Sequence, residues 1–189
     1  MNTSQIFINI QKHISLSDLE KSYFSSFIES KEISKKELIL KQGQTCKKIY
    51  FVASGSLRAF NINSQGKEST VMFAVQDWWI TDMYCFTNQK PALLSIEALE
   101  DSKLITLDFY ALEAMYQEIP KFERFFRILF QNAYIREQLR ALNAISFTTE
   151  ERYCRFVEKY PEIVQKTTQK QIASYLGVTP EFLSSIKKK

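Results

Sequence analysis

The sequence predicts an α+β protein: an antiparallel β-roll with flanking helices, one long connecting helix, and a C-terminal pair of short helices. Three observations predict it. Short β-type runs recur about every 10–14 residues between positions 37 and 107, each separated by a turn signal. Apolar residues at three- and four-residue steps then continue unbroken over residues 121–145. Finally, residues 168–189 carry two short apolar stripes on either side of Gly177.

The elements follow in order. Residues 1–30 read as helical, because Ser17 and Glu20 have the offset of a capping box. Leu19, Tyr23, Phe24, Phe27 and Ile28 then form a helical stripe. From Lys31 the period changes to two. ELILK at 37–41, KIYFVA at 48–53, SLRAFNI at 56–62 and STVMFAV at 69–75 read as strands. The turns between them are Gln42-Gly43-Gln44, Ala53-Ser54-Gly55 and Asn63-Ser64-Gln65-Gly66. Residues 93–99 and 103–107 supply two further runs around the turn Glu100-Asp101-Ser102. Asp108 opens a helix carrying Tyr110, Leu112, Met115, Tyr116 and Ile119, which Pro120 stops.

The long stretch is about 37 Å at 1.5 Å per residue, more than a small barrel needs for cover. It either pairs with a copy of itself through Phe122, Phe126, Leu129, Ala133, Arg136, Leu139 and Leu142, or lies along its own barrel. Thr148 and Glu151 form a second capping box and start a helix to Lys159, with Tyr153, Phe156 and Val157 inward. Tyr160-Pro161 ends it. The domain boundary is expected near 146–148, dividing the chain into 1–146 and 147–189 without a flexible linker.

At the C-terminal end, Ile172, Ala173 and Leu176 share one helix face, and Gly177 suits the left-handed residue that ends it. Thr179 can cap a second helix with Pro180 in its first turn and Phe182, Leu183 and Ile186 inward. This is the pattern of a DNA-binding helix-turn-helix. From Lys166 onward there are five lysines and one acid, Glu181, so this segment carries the whole chain's net +4. A basic patch on a neutral body is what phosphate contact requires, and a lysine-rich tail also serves solubility.

Composition narrows the function. A chain of 189 residues that is 45% hydrophobic and 14% aromatic can fill a core. Cys46, Cys85 and Cys154 are far apart in sequence, form no metal-ligand or redox pair by spacing, and fit a reducing cytoplasm. The N-terminus lacks a signal peptide, and no apolar run approaches the roughly 20 residues that span a bilayer, so a cytoplasmic protein with no membrane partner is expected. His13 is the single histidine, and no phosphate-cradling glycine loop is present. Neither a catalytic nor a metal site is expected, and the chain does not read as an enzyme.

LILKQGQTCKKIYFVASGSLRAF at 38–60, Gly66-Lys67-Glu68, Ala98-Leu99-Glu100-Asp101-Ser102, and Ile172, Ala173, Leu176-Gly177-Val178-Thr179 and Glu181 carry a resemblance. On these residues nearly the whole chain resembles the CRP/FNR family of bacterial transcription regulators. The resemblance implies a cyclic-nucleotide-binding-like roll sensing a small effector, a homodimer joined by the long helix, double-stranded DNA as partner, and RNA polymerase as a further one. Thr81-Asp82 stand where the family's ribose-holding G-E pair would fall, and Ala92-Leu93 where its phosphate-binding R-S would fall. No arginine occurs between Arg58 and Arg124, so the guanidinium fork that grips a cyclic phosphate is missing. Cyclic AMP is expected to bind weakly or not at all, and Lys90 is the one candidate for a substitute cation.

The candidate ligand set is Thr81, Asp82, Met83, Tyr84, Lys90, Ala92 and Leu93. The aromatic residues around it either suit a less charged effector or simply fill the roll. An iron–sulfur sensor is not expected, since the N-terminal cysteine cluster it needs is absent. The resemblance assigns DNA contact to Thr168, Gln169, Thr179, Glu181, Ser184, Ser185, Lys187, Lys188 and Lys189. Pro180 and Ser185 stand where better-known members carry base-reading arginines, so a different sequence preference is expected. The chain stops at Lys189 without the strands that would follow, so modest non-specific affinity is expected. A constitutive DNA-binding or protein-interaction module without a ligand is the alternative.

Overall fold

Residues 4–187 are described by a computed structural model, the side chain of Lys187 excepted. The period-two runs build two antiparallel sheets that close face to face. One has the order β1-β8-β3-β6 and the other β2-β7-β4-β5. The strands are β1 (Ile28–Ile33), β2 (Leu38–Leu40), β3 (Lys48–Ser54), β4 (Ser56–Ile62), β5 (Glu68–Val75), β6 (Trp79–Ile80), β7 (Ser95–Ala98) and β8 (Ser102–Asp108). Helices α1 (Ser4–Gln11) and α2 (Asp18–Phe27) precede the roll, and α3 (Met83–Asn88) lies between β6 and β7. After it come α4 (Phe109–Glu118), α5 (Lys121–Ser146), α6 (Thr149–Lys159), α7 (Pro161–Lys166), α8 (Gln169–Leu176) and α9 (Pro180–Lys187).

Local signals set the helix starts. Ser17 and Thr148 form the reciprocal capping boxes expected with Glu20 and Glu151, and Asp108 caps α4 through the Tyr110 N–H. The turn between β3 and β4 needs Gly55 on two counts. Its φ is +93°, and a Cβ there would lie 2.1 Å from Ser102 Oγ.

Two elements differ from the sequence expectation. The helical stripe ends at Phe27, and Ile28–Ile33 forms a strand paired along its length with β8, from Ile28 opposite Leu107 to Ile33 opposite Ser102. The segment IESKEI buries only its two terminal isoleucines, so it has no alternation to betray a strand. Long-range pairing decides it. Leu19 is 84% exposed, whereas Phe24 is fully buried.

α5 behaves differently along its length. Phe122, Phe125 and Phe126 are buried in the chain's own core. Phe122 stacks on Phe24 with ring centroids 5.1 Å apart, and Phe126 meets Trp79 edge-on at 5.5 Å. Phe122 and Phe126 therefore lie within the roll's core and are not available for pairing between copies, which corrects the sequence expectation. Farther along, Tyr134, Ile135, Leu139, Leu142 and Ile145 are exposed.

The C-terminal helices share their core with the roll. Phe156, Ile163, Ile172, Ala173, Leu176 and Leu183 cluster with Phe73 and Leu99 of the roll. Ser174 Oγ accepts the Thr70 N–H at 2.8 Å and donates to the Glu68 carbonyl at 3.0 Å. α8 thus covers β5, the edge strand of its sheet, whose main chain would otherwise lie open. Lys166 pairs with Glu100 at 2.8 Å across the same contact. Only Phe147 and Thr148 separate α5 from α6.

Candidate functional site

The helix-turn-helix is built from short-range bonds. Thr168 Oγ1 accepts the Gln171 N–H, while Gln171 Oε1 accepts the Thr168 N–H at 2.8 Å, a third capping box. Gly177, at φ 74° and ψ 28°, closes α8 with its N–H on the Ala173 and Ser174 carbonyls. Thr179 Oγ1 then accepts the Phe182 N–H at 3.2 Å and starts α9. Leu183 is fully buried, which holds α9 against α8.

This geometry sorts the candidate DNA-contacting residues. Glu181 and Ser185, one turn apart, are exposed, and Ser184 is half-buried. Ser185 Oγ donates to the Phe182 carbonyl at 2.8 Å. Thr168 and Thr179 serve as caps, and Gln169 Nε2 reaches the Pro180 carbonyl at 3.4 Å, tying the two helices together. Phe182 corrects the expectation of an inward side chain. It is 50% exposed beside Glu181, because Leu183 takes the core position. The Lys187 side chain, Lys188 and Lys189 lie outside the described residues.

The candidate ligand residues separate. Thr81 and Met83 line a cavity of about 230 Å³ between the roll and α5, walled by Trp78, Trp79, Leu129 and Ala133. Tyr84, Lys90, Ala92 and Leu93 do not line it. Ala92 is buried and bonds to the 43–44 turn, while Tyr84, Lys90 and Leu93 are exposed. Arg136, assigned by the sequence to dimer pairing, lines this cavity and lies over the Trp78 ring at 5.2 Å. The Trp78-Trp79 pair was the available signal for the cavity; its α5 wall carried none.

Asp82 is only 2% exposed. Its Oδ1 accepts the Cys85 N–H at 3.1 Å, and its Oδ2 accepts the Leu93 and Leu94 N–H groups at 2.7 and 2.9 Å. The chain's own carboxylate thus occupies the amides of the turn after α3. Thr81 donates its hydroxyl to the Lys48 carbonyl at 2.9 Å.

Cys46 and Cys85, far apart in sequence, meet here: the Cys46 N–H points at Cys85 Sγ at 2.6 Å. Both cysteines are free thiols. Burial pushes the Cys85 thiol up, which keeps it protonated and unreactive.

A roll with a cavity against a long helix, leading into a docked helix-turn-helix, defines a regulator that couples a sensor-type domain to a DNA-binding motif. The family described as "Cyclic nucleotide-binding domain" matches residues 30–118. The chain is 24% identical over 183 residues to an "Anaerobic regulatory protein" of Pasteurella multocida, covering 90% of this chain and 66% of that protein. It is likewise 24% identical to the "Regulatory protein HlyX" of Actinobacillus pleuropneumoniae, over 90% of this chain and 75% of the relative. The solved structure of FixK2 from Bradyrhizobium japonicum superposes with a TM-score of 0.74 at 18% identity, over 85% of this chain and 83% of that one. The chain is thus similar in sequence to bacterial regulatory proteins and in fold to a regulator of the crp/fnr family from Eubacterium rectale. Among the described residues, no helix is long and apolar enough to cross a membrane.

Proposed function

We propose that this regulator binds double-stranded DNA through α9, as a homodimer joined by the second half of α5, in the cytoplasm and without catalytic activity. The observation that carries the reading is the open face of α9. There Glu181, Phe182 and Ser185 stand exposed on a helix otherwise locked by Leu183. A carboxylate can accept from a cytosine amino group, and an apolar ring can meet a thymine methyl. RNA polymerase remains part of the proposal as a further partner. The uncovered Leu139, Leu142 and Ile145 support a second copy of the chain as the partner of α5.

In the same reading, the 230 Å³ cavity takes an apolar or weakly charged effector. Trp78, in its wall, meets Tyr160 at 5.9 Å edge-on, so a ligand there lies one side chain from the DNA-binding helices. Cyclic AMP is expected to bind weakly or not at all, because no arginine lies in the segment between Arg58 and Arg124 and Asp82 already fills the turn amides. That self-filled turn also favours a second reading, a constitutive DNA-binding or interaction module that senses nothing.

Selection of bound DNA from a random pool, with mass spectrometry of co-purifying molecules, tests both. The expected result is an enriched inverted repeat whose half-sites lie about 10 base pairs apart. No enriched sequence would overturn the regulator reading, and a motif without a bound molecule would favour the constitutive form. Micromolar cyclic AMP binding by calorimetry would refute the expectation of weak or no binding.

A further inference from the structure

A second cavity lies between α5, α6 and the end of α8, with a volume of about 390 Å³, within the size range of small-molecule sites. Arg136, Arg140, Arg152, Arg155 and Lys159 all line it, and no carboxylate does. Glu137, on the adjoining turn of α5, pairs with Arg140 at 2.8 Å and with Arg136 at 3.6 Å. Glu151, one turn before Arg155 on α6, also feels that arginine's charge, so five cations face two acids.

Four of the five rest on aromatic faces, Arg136 on that of Trp78. Arg155 lies 4.0 Å over Phe147, Arg140 5.6 Å over Tyr175, and Lys159 5.3 Å over Tyr160. Arg152 gives Nη1 to the Leu176 carbonyl and Nη2 to Thr149 Oγ1, both at 3.0 Å. Its Nε is buried without a hydrogen-bond partner among the described residues. Crowded like charges destabilise a fold, and an anion in the cleft relieves them. Burial pushes the Tyr175 phenol up to about 12, so it stays a neutral donor at the cleft wall.

We propose that this cleft binds a small anion bearing several phosphate groups, of the nucleoside polyphosphate class. Guanidinium forks match phosphate oxygens two at a time, and Tyr160 and Tyr175 line the same cleft. Glu181, Phe182 and Ser185 do not line the cleft, which is therefore separate from the open face of α9. The cleft bridges the short junction at Phe147 and Thr148, so an occupant clamps α6 and α8 onto α5 and fixes where α9 points.

Calorimetry of the full chain without DNA, at fixed ionic strength, tests this with sodium tripolyphosphate and ATP as probes. Both are expected to bind saturably, one per chain. The double variant R140Q/R155Q is expected to lower their affinity at least tenfold. Lys159→Gln, at an exposed position that leaves the core untouched, is expected to lower it about threefold. Arg127→Gln, on α5 but outside the cleft, is expected to change nothing.

Absence of binding by either probe overturns the proposal. So does binding untouched by both cleft variants, or equal weakening by Arg127→Gln, which marks non-specific attraction. If R140Q/R155Q instead lowers DNA affinity with no probe present and reduces the salt dependence by about two phosphate contacts, the cleft grips DNA backbone and the small-anion proposal falls. Because the probes are measured without DNA, failure of the DNA-binding reading leaves this result interpretable.

Discussion

At the turn after α3, the N–H groups of Leu93 and Leu94 converge on a carboxylate that the chain itself supplies, whereas between α5, α6 and α8 five cations converge on open space. Both places present donors suited to an anion. In the first, Asp82 is fully buried and bonded, so the donors have become structural. In the second, five positive charges outnumber the carboxylates of Glu137 and Glu151, so a net positive charge remains. Donor chemistry alone does not mark a ligand site; the presence of an internal counter-charge separates a filled cradle from a receptive one.

The largest test of that contrast is Asp82→Ala. It strands three main-chain N–H groups and should cost about 3 kcal/mol, lowering Tm by roughly 6–12 °C in scanning calorimetry. Asp82→Asn keeps an acceptor and should cost less. An unchanged Tm in Asp82→Ala would break the comparison, since the cradle would then not depend on its carboxylate.

The second test loads the other site. Tripolyphosphate at about ten times its Kd should add about 1.4 kcal/mol and raise Tm by roughly 3–6 °C. R140Q/R155Q should lose that rise. A third variant asks whether the wall of the cleft is held by the roll. Ser174→Ala removes both bonds to β5 and should cost about 1 kcal/mol, or roughly 2–4 °C.

The smallest effect is expected from acid. Lys121 and the Ser17 N–H hold the half-buried Glu20 carboxyl down at about 2. A depressed carboxyl contributes stability above its ordinary range, near 4.3, and loses it as pH falls toward 2. Tm should therefore stay level down to about pH 5 and fall below it. Glu20→Gln should flatten part of that fall.

Legibility in the sequence followed range. The capping boxes at Ser17 and Thr148, the cap at Asp108, the left-handed Gly177 and the start of α9 at Thr179 are settled by partners within four residues. Their chemistry could be read directly from the order of residues. The helix-turn-helix and the strand-and-turn rhythm of the roll were legible for the same reason.

The rest was decided by the tertiary structure. β1 is a strand because β8 lies beside it, and Phe122 and Phe126 are inward because Phe24 and Trp79 meet them. Phe182 faces out because Leu183 fills the one position against α8. Asp82 reaches amides eleven and twelve residues away. The cationic cleft draws on residues from position 136 to position 177. Nothing in the local order of the chain encodes such meetings, since burial and charge neutralisation depend on which distant segments the completed fold brings together.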